Sequence, residues 1–282
     1  MKIPACLLAF TLAAVACNNN NSEKNSTMDT TTAKNDSSSS ISIREENVDV
    51  TADTATLHNY IAYDQNKKGK RPIVLVIPEW WGLNDYPKSR ARQLAGLGYF
   101  AVAVDIYGDG KLAADPKEAG TMAGTFYANP KLAYARVEAA LAKAKSYPEA
   151  DTSKVAAIGY CFGGSMVLNV ARMGMPLDGV VSFHGILSGL APVNKSMSSK
   201  ILVCQGDDDK FSPTSEVPKF EKELDAAGAS YSVKEYPNAT HAFTNPAATE
   251  NGKKFDIPIA YNPEADKQSW NDMKDFFAML WQ

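Results

Sequence analysis

The sequence predicts an α/β fold, a mostly parallel, doubly wound sheet flanked by helices. Two observations lead there. Apolar runs of strand length alternate with helical patterns from Leu57 to Leu280, the order that builds parallel strands joined by crossover helices. Within that alternation, Ile73-Val74-Leu75-Val76-Ile77 is continuously apolar, as a strand covered on both faces must be.

The chain opens differently. Lys2 precedes an apolar stretch from Ala5 to Ala16, which reads as an export signal and is too short to be a stable membrane span. Ala14, Val15 and Ala16 are small, and Cys17 follows them directly, an ending that resembles a bacterial lipobox. Residues 1–16 are therefore expected to be a lipoprotein signal peptide. Cys17 is the expected lipidation site, and the mature protein is placed in the cell envelope. Ordinary secretory cleavage nearby is the plainer alternative. From Asn18 to about Ser40 the sequence is almost entirely polar and cannot bury enough apolar surface to offset the entropy of ordering. Residues 17–46 are read as a flexible tether and residues 47–282 as one folded domain, long enough for a single sizeable core.

Within that domain, Leu57 to Tyr63 alternates like a strand, and Ile73 to Ile77 is the buried strand described above. A helical stretch from Ser89 to Leu97 ends at Gly98, followed by a strand from Phe100 to Val104. Ala133 to Ala144 carries Leu and Val at helical spacing, and Val155 to Ile158 is again a strand. A helix from Phe162, strands at Val180–Phe183 and Ile201–Cys204, a helix at Glu216–Ala227, a strand at Tyr231–Tyr236 and a closing helix at Ala265–Leu280 complete the pattern. Ligands of such sheets bind beyond the carboxyl ends of the strands. The residues just after each strand therefore bear most on function.

Composition narrows the classes. Hydrophobic residues make up 45% of the 282 and charged residues 22%, with a net charge of −3. There is no basic field to attract nucleic acid, and membrane contact is expected only through the N-terminal anchor. Of the four cysteines, Cys6 and Cys17 lie in the leader and at the anchor. Cys204 ends the apolar run Ile201-Leu202-Val203 and reads as a small buried hydrophobe. No disulfide is expected, and no cysteine spacing fits a zinc site.

Cys161 stands in Gly159-Tyr160-Cys161-Phe162-Gly163, after a strand and before an apolar helix. This is a G-x-nucleophile-x-G elbow with Cys in the place of Ser, in which the glycines keep Cβ atoms clear of a sharp turn. The start of the helix turns N–H groups and a positive dipole end toward the sulfur, which stabilises negative charge there. His241 follows the last strand, where the α/β-hydrolase chain order of nucleophile, acid and histidine puts the base. The chain has three histidines: His58 precedes the core sheet, and His184 ends a strand and is the competitor, with walling the pocket or bonding backbone near the elbow as its plainer role. The acid is expected after the strand Ile201–Cys204, where Asp207, Asp208 and Asp209 stand in a row. Asp209, nearest the next helix, is favoured and the other two stay open. Glu79 follows Ile77-Pro78 and is a candidate to accept the thiol proton. The N–H groups of Trp80 and Phe162 are the expected oxyanion hole, one donor after the first core strand and one after the nucleophile.

Together these residues resemble the dienelactone hydrolase family of α/β-hydrolases. The likeness runs from about Val48 to Leu280. It rests on P-E-W-W-G-L-N at Pro78 to Asn84, D-I-Y-G at Asp105 to Gly108 and G-Y-C-F-G-G at Gly159 to Gly164. It continues in Q-G-D-D-D-K-F-S-P at Gln205 to Pro213, H-A-F at His241 to Phe243 and Y-N-P-E-A at Tyr261 to Ala265. The resemblance implies Cys161 as nucleophile, Asp209 and His241 as its partners and Glu79 as the relay for the thiol proton. The chain departs from the family in two places. Characterised members hold a substrate carboxylate with arginines just after the D-x-Y segment and shortly after the catalytic histidine. Here those regions read Gly108-Asp109-Gly110-Lys111 and Thr244-Asn245-Pro246. Lys111 lacks the bidentate fork of Arg. The expected substrate is therefore a small ester or lactone other than a dienelactone, cleaved through an acyl-enzyme without metal or organic cofactor. An exported carbohydrate or xenobiotic esterase and a non-catalytic ligand-binding domain are the competing readings. Thiol redox chemistry lacks a C-x-x-C.

Overall fold

The computed structural model describes residues 40–282. The signal peptide, Cys17 and most of the expected tether lie outside the described residues. The described chain forms one eight-stranded sheet. Its strands are β1 (Ile43–Ala52), β2 (Ala55–Asp64), β3 (Arg71–Ile77), β4 (Phe100–Ala103), β5 (Ala150–Tyr160), β6 (Gly179–Phe183), β7 (Lys200–Gly206) and β8 (Tyr231–Tyr236). The helices are α1 (Asp85–Gly96), α2 (Pro116–Ala128), α3 (Pro130–Lys145), α4 (Phe162–Arg172), α5 (Val217–Ala226), α6 (Ala248–Phe255) and α7 (Pro263–Leu280).

The strand order is β1-β2-β4-β3-β5-β6-β7-β8. β1 pairs antiparallel with β2, and β2 antiparallel with β4, while every pair from β4 through β8 is parallel. The two faces can be read along β3. Ile73, Leu75 and Ile77 point into one apolar cluster with side chains of α2, α3, α4 and α5. Val74 and Val76 point into a second with α1 and α7. All five are fully buried, each burial contributing about 1.5–3 kcal/mol relative to exposure. The continuous apolar run thus has its cause in a sheet covered on both sides.

One boundary needs correction. The tether was expected to reach residue 46, but β1 begins at Ile43, and Ile43 to Glu46 pair with Asp64 to Ile61 of β2. β1 is an edge strand, so its ladder forms without an apolar side chain at every second position, and Arg44, Glu45 and Glu46 disguise it as linker. Two helices also went unread, α2 and α6. α2 is started by Asp115, which accepts a hydrogen bond from the Glu118 N–H, with Pro116 in the first turn.

The topology fixes where chemistry can happen. From β3 the chain crosses to β4 on one side, then returns to β5 on the other. The carboxyl ends of β3 and β5 therefore flank a switch point, the crevice where open α/β sheets bind ligands. Glu79 follows β3 and Cys161 follows β5.

Candidate active site

Cys161 sits between β5 and α4 with φ 53° and ψ −117°, a left-handed backbone for a residue with a Cβ. Such conformations cost of order 1–3 kcal/mol and persist only where the surroundings hold them. The flanking glycines are required by close approach. A Cβ on Gly159 would lie 2.0 Å from the Gly163 carbonyl oxygen, and one on Gly163 would lie 2.3 Å from that of Ile77. The Cys161 N–H is shared between the Phe183 carbonyl at 2.9 Å and His184 Nδ1 at 3.0 Å.

The turn presents Cys161 Sγ 2.9 Å from His241 Nε2. The other ring nitrogen, Nδ1, lies 2.8 Å from Asp209 Oδ2. Asp209 is buried and well satisfied: Gln205 Nε2 also donates to Oδ2, and the N–H groups of Phe211 and Ser212 donate to Oδ1. Asp207 and Asp208 are exposed. Burial works against an imidazolium at His241, but the adjoining Cys161 and Asp209 outweigh it and push its pKa up to about 10. The structure thus brings together Cys161, His241 and Asp209 from three distant parts of the chain.

His184 is the neighbouring ring, its centroid 5.3 Å from that of His241. It is fully buried, and burial together with the charge on His241 holds its pKa well below the ordinary value, so it stays neutral. Because Nδ1 accepts from Cys161, the proton resides on Nε2, which donates to Thr244 Oγ1 at 2.7 Å. It bonds backbone at the elbow and makes no hydrogen bond to the thiol.

Glu79 is 3% exposed, and burial pushes its carboxyl pKa up to about 7. It lines the same cavity as Cys161, but its Oε2 accepts from Asn245 Nδ2 at 2.6 Å rather than from the thiol. Trp80 and Phe162 also line that cavity, and neither backbone N–H has a protein acceptor among the described residues. The Tyr107 hydroxyl donates to the Trp80 carbonyl and steadies that loop. Lys111 is exposed and paired with Asp109, away from the cavity wall. Among the described residues no group of three or more His, Cys, Asp or Glu is placed to hold a metal ion.

The dienelactone hydrolase family model matches residues 57–280. The chain belongs to the dienelactone hydrolase family. This member is similar to a dienelactone hydrolase-like promiscuous phosphotriesterase from metagenomic libraries. The two are 36% identical with a TM-score of 0.78, over 84% of this chain and 98% of that one. A provisionally named carboxymethylenebutenolidase of Methylorubrum extorquens is 26% identical over 221 residues, 74% of this chain and 72% of that protein. A structure from Klebsiella pneumoniae, provisionally named a dienelactone hydrolase, is 23% identical with a TM-score of 0.71. It covers 84% of this chain and 99% of its own, and shares the fold.

This dienelactone hydrolase family member also has site residues that the sequence did not reveal. Gln205 orients the Asp209 carboxylate, Thr244 orients His184, and Asn245 holds Glu79. Gln205 was legible only as part of the Q-G-D-D-D string, and Asn245 only as the residue standing where an arginine was expected. Phe211, with its ring centroid 5.0 Å from that of His241, was legible only as part of the Q-G-D-D-D-K-F-S-P string.

Proposed function

We propose that this family member hydrolyses small esters or lactones through a covalent thioester on Cys161. The observation that carries the reading is the unbroken run from Cys161 Sγ to His241 to Asp209, at 2.9 and 2.8 Å, opening on an apolar cavity. With the imidazolium stabilised by Asp209, the thiol proton rests on His241 Nε2 and the sulfur attacks the carbonyl carbon. The N–H groups of Trp80 and Phe162 donate hydrogen bonds to the tetrahedral oxyanion. As the C–O bond breaks, His241 returns its proton to the departing alkoxide. The neutral imidazole then takes a proton from water, whose oxygen attacks the thioester and releases the acid. Glu79, buried and poised near neutrality, is the reserve acceptor for the thiol proton.

The test is hydrolysis of p-nitrophenyl acetate and small lactones by the protein and by Cys161→Ala. The substitution is expected to lower kcat/KM by at least ~1000-fold, as loss of a nucleophile does. Retained activity in that variant sinks the proposal. A thioester trapped on Cys161 by rapid acid quench, seen as a mass increase, is the positive counterpart. Non-catalytic ligand capture is disfavoured by the intact set of Glu79, Cys161, His241 and Asp209.

We also propose that the enzyme is exported and held to the cell envelope by acylation of Cys17, on the strength of the charged start, the apolar run and A-V-A-C. Labelled fatty acid should enter the wild-type protein and be absent from Cys17→Ser.

A further inference from the structure

The cavity before Cys161 carries information about what it accepts. Its wall is built largely from Trp80, Tyr127, Phe162, Ile186, Phe211 and Ile259. Its volume is about 160 Å³, near the ~150 Å³ of an apolar cavity that holds one benzene molecule in another protein. A single ring fits that space, and a fused pair overfills it.

Charge is the second constraint. Besides the Cys161 thiol and the Tyr127 hydroxyl, the ionisable groups in the wall are Glu79 and His241, and among the described residues no lysine or arginine lines it. His241 already has Asp209 on one nitrogen and Cys161 on the other, so neither N–H is free for a substrate anion. Glu79 is held by a neutral amide, whose orientation is fixed because Asn245 Oδ1 accepts from the Ala247 N–H. The nearby buried cation, Arg90, is committed to Asp266, the Thr244 carbonyl, Tyr86 and Gln93. A carboxylate entering this space would lose its water, find the His241 ring already paired on both nitrogens and no other cation in the wall, and face the carboxyl of Glu79.

We propose that the cavity selects esters or lactones carrying one uncharged ring beside the scissile bond, and rejects the same compounds once they bear a carboxylate. This rests on the hydrolase reading above and names the substrate class of that same site.

The test is a set of matched esters read as kcat/KM, with Cys161→Ala in parallel. Phenyl acetate and ethyl benzoate put the ring on opposite sides of the bond. 3-Carboxyphenyl acetate and monoethyl isophthalate add one carboxylate to each, and 2-naphthyl acetate and ethyl 2-naphthoate add a second ring. On the side that is turned over best, the carboxylate is expected to lower kcat/KM by at least ~100-fold and the second ring by at least ~10-fold. Phe211→Arg, which brings a cation to the rim, is expected to shrink the carboxylate penalty by about tenfold. A carboxylate penalty below tenfold, a naphthyl ester turned over as well as the phenyl one, or a penalty unmoved by Phe211→Arg would overturn the inference while Cys161-dependent turnover upholds the hydrolase. Absence of Cys161-dependent turnover with every ester would remove both.

Discussion

At the scale of single residues, the site separates two imidazoles by charge. Against the penalty of burial, Cys161 and Asp209 on either side push the pKa of His241 up, whereas His184, one ring away, is kept neutral by burial and accepts the Cys161 N–H. His184 is a positioning residue: it touches the Cys161 backbone and leaves the sulfur to His241. His184→Ala should lower kcat/KM about 10–100-fold through a misplaced sulfur. His184→Gln, whose amide oxygen can accept the same N–H, should recover part of the loss, and no difference between the two variants would contradict the role. Glu79 gives a pH-dependent prediction. Its carboxyl titrates near 4.5 when unfolded and about 7 in the native protein, because burial penalises the charge. Below about 4.5 both states hold the proton and the native state incurs no penalty. As pH rises through 7 the unfolded chain has already ionised and the native state follows at a cost, so stability falls by up to about 3 kcal/mol. Glu79→Gln removes that dependence. Urea unfolding should find the variant gaining on wild type between pH 5 and pH 8, and parallel stability–pH curves would refute the assignment.

At the scale of elements, the elbow between β5 and α4 depends on backbones that pass closer than any side chain permits. Gly163→Ala would drive a Cβ to 2.3 Å from the Ile77 carbonyl oxygen, against the end of the strand that leads to Glu79. About 3 kcal/mol or more of destabilisation is expected, with activity lost beyond what folding explains. Gly124, exposed in the middle of α2 with nothing within 4 Å of a built Cβ, is the contrast. Gly124→Ala should stabilise by ~0.5–1 kcal/mol, and calorimetry of the pair checks both signs. The same elements explain what was legible in the sequence. β3, β5 and α7 were readable because buried strands are continuously apolar and long helices repeat their apolar face, and the edge strand β8 because Tyr231, Val233 and Tyr236 favour extended backbone. Cys161, His241 and Asp209 were readable because each follows a strand at the sheet's carboxyl edge. α2 was obscured by its two glycines and by small buried residues, Ala119 and Ala123, with Phe126 the one large anchor. α6 buries only Ala248 and Gly252, too little for a periodic signal. Gln205 acts through short-range hydrogen bonds to the loop after β7, and Thr244 and Asn245 through hydrogen bonds made across the fold; neither kind leaves periodicity in a sequence.

At the scale of the whole described domain, the sheet gathers its chemistry at the crevice between β3 and β5 and closes its far edge with β1. That edge strand is where composition misled, since Ile43 to Glu46 look like linker and pair like sheet. They contribute ladder bonds to β2, and Glu45 accepts from the Tyr60 hydroxyl. Just before them, the Ser42 N–H donates to Asp64 Oδ1 and the Gln65 N–H to the Ser42 carbonyl. Several of these bonds are partly solvated, and at about 0.5–1.5 kcal/mol each their loss should total a few kcal/mol at most. A chain starting at residue 40 should therefore melt within about 1 °C of the full-length protein. One starting at residue 47 should lose about 2 kcal/mol and roughly 4–8 °C of Tm. Truncation at 47 would also bare the paired edge of Ile61, Ala62 and Tyr63 in β2, which are buried in the intact protein. That variant should then aggregate on heating more readily than the longer one, as an uncovered apolar edge does. Equal melting temperatures for the two would mean that the first half of β1 adds nothing to the sheet.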